Sequence, residues 1–244
     1  MFLSGLGESN VSFVESSISK EKTMDQLAGR ANCQNFRTNS IWGIEFFDPL
    51  FSLLEDHISF YIDADILFIR PFEGLFERSQ VSNGAIFLRD TQWDAYSIRP
   101  WQMLGFSQRP KIVKGITTAL VCWDKTAIEW DYLEWFLGQV NLHKIPEWVM
   151  PTAQAGLAER CNAKTVHPFQ LLNMYPNAKI QNHTFGLHLL GSYRKNWLSK
   201  LKDQNFSRDQ AVIDAKFQKC ENQSPLCYGL NQTKRWVNTR LNWW

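Results

Sequence analysis

No apolar run in the 244-residue chain approaches the roughly 18 residues that a membrane-spanning helix needs. The opening Met1-Phe2-Leu3-Ser4-Gly5-Leu6-Gly7 is too short for a secretory leader and lacks its basic start. Excess charge is missing as well: 26 Lys and Arg stand against 24 Asp and Glu, and the basic residues form only short clusters such as Arg194-Lys195 and Lys234-Arg235. Such a balance leaves no electrostatic footprint for nucleic acid. Cysteine is scarce: Cys33, Cys122, Cys161, Cys220 and Cys227 are odd in number and lack metal-type spacing, so neither a zinc motif nor a disulfide framework organises the chain. Cys220 and Cys227 are near enough in sequence to bridge under oxidising conditions; idle thiols are the plainer reading. Repeats and low-complexity tracts are absent. The expectation is a cytoplasmic protein or one peripheral to a membrane. The Asn-x-Ser/Thr sequons at Asn10, Asn182, Asn205, Asn222 and Asn231 leave a secretory lumen open and decide nothing in so Asn-rich a chain.

What is present describes a folded domain with a sizeable core, for 44% of residues are apolar and 20% charged. Eleven tryptophans stand out. Six of them (Trp93, Trp101, Trp123, Trp130, Trp135 and Trp148) fall in one middle segment. Core packing and surface anchoring are the usual duties of such rings, and one or two are candidates for a flat platform under a sugar.

The most informative stretch is Phe60-Tyr61-Ile62-Asp63-Ala64-Asp65-Ile66-Leu67-Phe68-Ile69. Two carboxylates interrupt an apolar, β-prone run. In a continuous strand, alternation would turn Asp63 and Asp65 to one side. Side by side in apolar surroundings they repel and lose hydration, and a hard cation such as Mg2+ or Mn2+ relieves both costs. The bland alternative is a turn carrying two solvated aspartates.

Around this stretch the chain reads as alternating strands and helices, an α/β layer architecture. Residues 1–40 read as loops with a short helix near 22–30. Residues 41–56 read as a buried helix, kinked or split at Pro49. Strands are expected over 58–63, 81–88, 116–123 and 183–190, and helices over 125–140 and 152–160. Residues 89–114 read as a long irregular segment. Ser207 and Gln210 have capping-box spacing and predict a helix through about 219. Ligands gather at the carboxyl ends of strands in such sheets, where Asp63 and Asp65 fall. A second polar cluster, His188-Leu189-Leu190-Gly191-Ser192-Tyr193-Arg194, offers an imidazole for a borderline metal, a glycine that admits close backbone approach and a cation for a phosphate. His183 is a nearby edge residue.

Together the two clusters resemble the Asp-x-Asp and late His-x-x-Gly-x-x-Lys elements of GT-A-fold glycosyltransferases, the glycogenin and lipopolysaccharide-galactosyltransferase type. The resemblance covers roughly residues 41–197. It implies a GT-A-like mixed sheet flanked by helices over residues 1–200, with 201–244 as a helical or irregular extension. It implies Mn2+ (or Mg2+) held by Asp63, Asp65 and His188, and donor or phosphate contacts from Tyr61, Ala64, Gly191 and Arg194. Transfer from a nucleotide-sugar, a UDP-sugar first, to a glycan or glycolipid acceptor would follow, with retained anomeric configuration and no separate base required. Three features depart from the family. Thr117-Thr118-Ala119 replaces an Asn-x-Gly-like strand, and Ala153-Gln154 replaces Asp-Gln, which leaves Thr117, Thr118 and Gln154 as candidate sugar or acceptor contacts. Only about 60 residues precede the Asp pair, so part of the nucleotide-binding unit is expected to be missing or divergent. A non-catalytic remnant that binds a metal, a sugar or a partner is the alternative. Asp90, Asp94 and Asp124 are spare acids. A haloacid-dehalogenase-type phosphatase fits less well, since Leu67 stands where that motif has Thr or Val.

Overall fold

The computed structural model describes residues 14–51, 57–92, 94–103, 111–139, 143, 145–202, 206 and 211–241. Three helices open it: α1 (Ser16–Gln26), α2 (Ala31–Asn39) and α3 (Ile41–Phe51). Residues 1–13 lie outside the described residues. Over the rest of the N-terminal region the short helix expected near 22–30 is the second half of a longer α1, and the loop expected after it is corrected to α2. The two meet at Gly29 with φ +80°, a left-handed conformation that glycine tolerates. Few apolar residues of α1 or α2 are buried. They dock instead through Asp48 of α3, which accepts Arg37 Nε at 2.9 Å and Nη2 at 2.7 Å and Ser19 Oγ at 2.7 Å. Pro49 lies in the last turn of α3, where the helix runs through it without splitting; residues 52–56 lie outside the described residues.

The chain continues through β1 (Ile58–Ile62), β2 (Ile66–Phe68), β3 (Phe72–Glu73), β4 (Gly84–Arg89) and β5 (Ile116–Asp124). Then come α4 (Trp130–Gly138), α5 (Val149–Glu159), β6 (Asn162–Val166), β7 (Leu171–Asn173), β8 (Gly186–His188) and α6 (Arg194–Lys202). Last are β9 (Ile213–Asp214), β10 (Phe217–Lys219) and α7 (Pro225–Leu241). The helix expected through residue 219 is thus two short strands; Ser207 and Gln210 themselves lie outside the described residues. The expected helix over 125–140 is a 3-10 turn, Lys125–Ala127, followed by α4, and Val140 is outside the described residues. The strand expected over 183–190 is only three residues long, and that over 81–88 begins at Gly84, after a turn that puts Asn83 at φ 55°.

A mixed five-stranded sheet in the order β1-β5-β4-β6-β10 forms the centre. Alternation at a period of two gives it two apolar faces. Ala85, Phe87, Val121 and Trp123 point to the side where α3, α4 and α5 pack, joining Phe47, Phe136 and Leu157. Ile86, Leu88, Leu120 and Cys122 point to the other side, against Val166, Leu171 and Phe185. A smaller sheet, β2-β8-β7, is backed by Trp197 and Leu201 of α6. The pair β3-β9 is parallel. β10 closes an edge of the main sheet, and Tyr228 of α7 is fully buried in its helical side. Among the described residues no strand precedes Ile58 and no helix is long and apolar enough to cross a membrane.

Candidate metal centre

The two sheets meet at the Asp pair. β1 ends at Ile62, and the Asp63 amide donates to Ala119 O at 2.8 Å. Ala119 lies in β5 between Thr117 and Val121, where β5 bulges against β4: Phe87 faces Val121 while Leu88 faces Thr117. Bulges of this kind re-aim a chain near a site. The chain then turns, with Ile66 N donating to Asp63 O at 3.1 Å, and enters the smaller sheet. Asp63 and Asp65 therefore do not share a side by alternation along one strand; a turn between two sheets brings them together. The register Ile66↔His188 and the bond from Leu189 N to Asp65 O at 3.0 Å fix the third member. One ligand atom each of Asp63, Asp65 and His188 lie within 4.8 Å of one another.

Hydrogen bonding decides what this triad can hold. His188 Nδ1 is 2.6 Å from Asn173 Oδ1. The Asn173 amide is oriented by its own Nδ2, which donates to Arg89 O at 3.0 Å, so Oδ1 is the atom that faces the ring. The imidazole must then carry its proton on Nδ1 and present a lone pair at Nε2. Burial holds His188 below its ordinary pKa, against the pull of Asp65 and Asp63, which keeps the ring neutral near pH 7. Nε2 faces Asp65 Oδ1 at 3.4 Å, and that oxygen is buried without a hydrogen-bond donor. Burial, reinforced by Asp65, also lifts the Asp63 carboxyl above the usual carboxylate range, although Tyr61 OH donates to its Oδ1 at 2.6 Å. Acceptors converge with no donor between them. Two carboxylates and one imidazole suit a divalent cation, so the residues present fit a metal ion.

Arg194, the first residue of α6, pairs through Nη2 with Asp65 Oδ2, the other oxygen of that carboxylate, and donates through Nε to Leu189 O at 3.3 Å. Asp63, Ala64, Asp65 and Arg194 line an open depression of about 220 Å³. Gly191 sits in the preceding turn, exposed, and a Cβ there would meet nothing, so no close packing requires glycine at that position. Tyr61, Thr118 and Gln154 line a separate internal cavity with Glu45 and Trp123. Its free volume of about 10 Å³ is close to that of one water, and two of its lining residues carry buried polar atoms without partners, Gln154 Oε1 and Trp123 Nε1. Thr117 is half-buried and lines neither space.

The spare acids are engaged elsewhere. Asp94 accepts from Gly115 N and Gln223 Nε2, Asp124 from Asn83 N and Thr126 N, and Asp90 from Tyr175 OH. His183 stays at the surface beside Phe169 and His167, and all five cysteines are free thiols. Two residues escaped the reading of the sequence. Glu45, raised by burial and by Asp63, carries no local signal on its helix. Asn173 does: a polar residue closing the buried triplet Leu171-Leu172-Asn173 is the same kind of interruption that marked Asp63. Comparison with protein-family models, with curated proteins and with solved structures finds no match to this chain, so the function rests on this geometry.

Proposed function

We propose that the chain is a metal-dependent glycosyltransferase that uses a nucleotide-sugar donor, a UDP-sugar first, with Asp63, Asp65 and His188 holding Mn2+ or Mg2+. The observation that carries this reading is the convergence of Asp63, Asp65 and the buried His188, with Asp65 Oδ1 left without a donor opposite His188 Nε2, beside a depression with a guanidinium at its rim. A divalent ion held there would neutralise the charge that develops on a departing nucleoside diphosphate. The protein's own part is to pre-set the ligands. Asn173 fixes the His188 tautomer, Tyr61 OH holds one oxygen of Asp63, and the β5 bulge aims the Asp63 backbone. Arg194 stands where it can exchange Asp65 for a phosphate oxygen. Asp90, Asp94 and Asp124 are engaged elsewhere, and retaining transfer, the stereochemistry the resemblance implies, calls for no separate base. A glycan or glycolipid acceptor is part of the same proposal.

The narrow cavity lined by Thr118 and Gln154 favours a second reading, a remnant that binds metal and diphosphate without turning over. Calorimetric titration of UDP separates these from no site at all. With Mn2+ present, heat of binding is expected, and it should vanish in EDTA and in the Asp63→Ala/Asp65→Ala variant. Binding without hydrolysis or transfer of any UDP-sugar would favour the remnant. A folded protein that binds no UDP in any condition would sink both.

A further inference from the structure

A larger cavity, about 820 Å³, lies between α7 and the 3-10 turn Pro100–Met103 and shares no lining residue with the metal depression. Among the described side chains, α7 is anchored through the face that carries Tyr228, which is buried and whose hydroxyl donates to Ile98 O at 2.9 Å. The opposite face carries Leu226, Gly229, Leu230 and Thr233 into the groove, at helical spacing. Leu226 is 74% exposed, Leu230 62% and Trp101, across the groove, 64%. Isolated apolar residues at a surface are ordinary; three large ones lining one groove are not.

Charge says what fits there. Residues 222–241 contain Lys234, Arg235 and Arg240 and no acid. Lys234, exposed, continues the Leu226–Leu230 row one helical turn further. Arg99, also exposed, lines the groove with its guanidinium 5.7 Å from the Trp101 ring centre. Among the described lining residues none is acidic. A second copy of the chain docked face to face would oppose cation to cation. An apolar floor, an exposed indole and a cationic, acid-free rim match the boundary of an anionic bilayer, where acyl chains lie beneath phosphates. We propose that this groove seats the protein on an anionic lipid surface, the apolar lining taking acyl-chain area while Arg99 and Lys234 meet head-group phosphates. The inference stands apart from the transferase reading, since it uses none of that site's residues.

Flotation of the full chain with vesicles tests it, using phosphatidylcholine alone and phosphatidylcholine mixed with phosphatidylglycerol, at low and high salt. The chain is expected to float with the anionic vesicles and less so as salt rises. Leu226→Ser/Leu230→Ser should abolish flotation. Arg99→Gln/Lys234→Gln should weaken partitioning by about five-fold for each cation removed. All four positions are exposed, and circular dichroism with the urea midpoint verifies that both variants fold. Flotation with neither vesicle, or equal flotation of the parent and both variants, would overturn the proposal. So would a dimer that Leu226→Ser/Leu230→Ser disperses in a chain that does not float, which would assign the groove to a second copy.

Discussion

The main sheet and the junction where it meets the smaller sheet are built from similar strands and differ in what they leave unmatched. In β4 and β5, successive side chains enter two apolar layers, and Phe87 meets Trp123 edge to face, with ring centres 5.4 Å apart. At the junction, a carboxylate oxygen and an imidazole lone pair face each other across 3.4 Å. The first arrangement lowers the free energy of the metal-free chain. The second raises it, because a buried acceptor without a donor loses hydration and regains nothing, a cost that a cation held there would relieve. Residues that stabilise and residues that bind should therefore separate cleanly under substitution.

The largest effect is expected from the stabilising side. Phe87→Ala removes a fully buried ring and should cost about 3–5 kcal/mol in urea unfolding, while Mn2+ affinity of the protein that remains folded stays near that of the parent. An equal loss of metal affinity would show that the sheet interior and the junction are not separable. Next is Asn173, which touches no metal in the proposed site and acts through His188. Asn173→Leu should weaken Mn2+ binding by about 10–100-fold, and Asn173→Asp, which keeps an acceptor for Nδ1–H, should restore most of it. Nitrogen NMR of His188 in metal-free protein reads the same role directly: Nδ1–H in the parent, and a mixture of tautomers in the Leu variant. If both variants bind alike, or the tautomer does not change, Asn173 is only a structural tie between β7 and β4.

These separations explain what could be read in advance. Asp63 and Asp65 were legible because polar residues inside an apolar run are rare whatever the backbone does. Their geometry was not, since a strand and a turn give the same local pattern, and only the Ala119 and Ile66 backbone bonds decide between them. β1, β4 and β5 of the main sheet were legible from apolar runs that feed both faces, whereas β6 was not expected and β10 lies where a helix was expected. α2 and the first half of α1 were not legible, because a buried Arg37–Asp48 ion pair, with Ser19 on the same carboxylate, docks them rather than an apolar stripe. The start of α2 is likewise capped from outside: Glu134 of α4 accepts from the Asn32 and Cys33 amides at 2.9 and 3.0 Å. Against the cost of burial, those bonds hold its carboxyl below the usual range. Neither contact leaves a signal in the nearby sequence. Asn173 gains meaning only from the register that sets it opposite His188.

Arg194 gives the smallest effect and the finest test, because it belongs to both sides of the comparison. In the metal-free chain its guanidinium is the one cation paired with Asp65 among the described residues, and it takes the outer oxygen while the inner one stays without a donor. It therefore stabilises the junction and would compete with a metal for Asp65. Once a diphosphate is bound, the same guanidinium can pair with phosphate and release the carboxylate to the metal. The two roles predict opposite signs. Arg194→Gln should tighten Mn2+ alone by a few-fold, the gain shrinking as salt rises because the side chain is nearly half exposed, and should weaken UDP in the presence of Mn2+. Arg194→Lys should fall between on both measures, since it keeps the charge and loses the planar fork. If Gln weakens Mn2+ and UDP together, Arg194 merely holds the loop before α6 in place. If it tightens Mn2+ and leaves UDP unchanged, the phosphate contact is wrong while the metal centre stands.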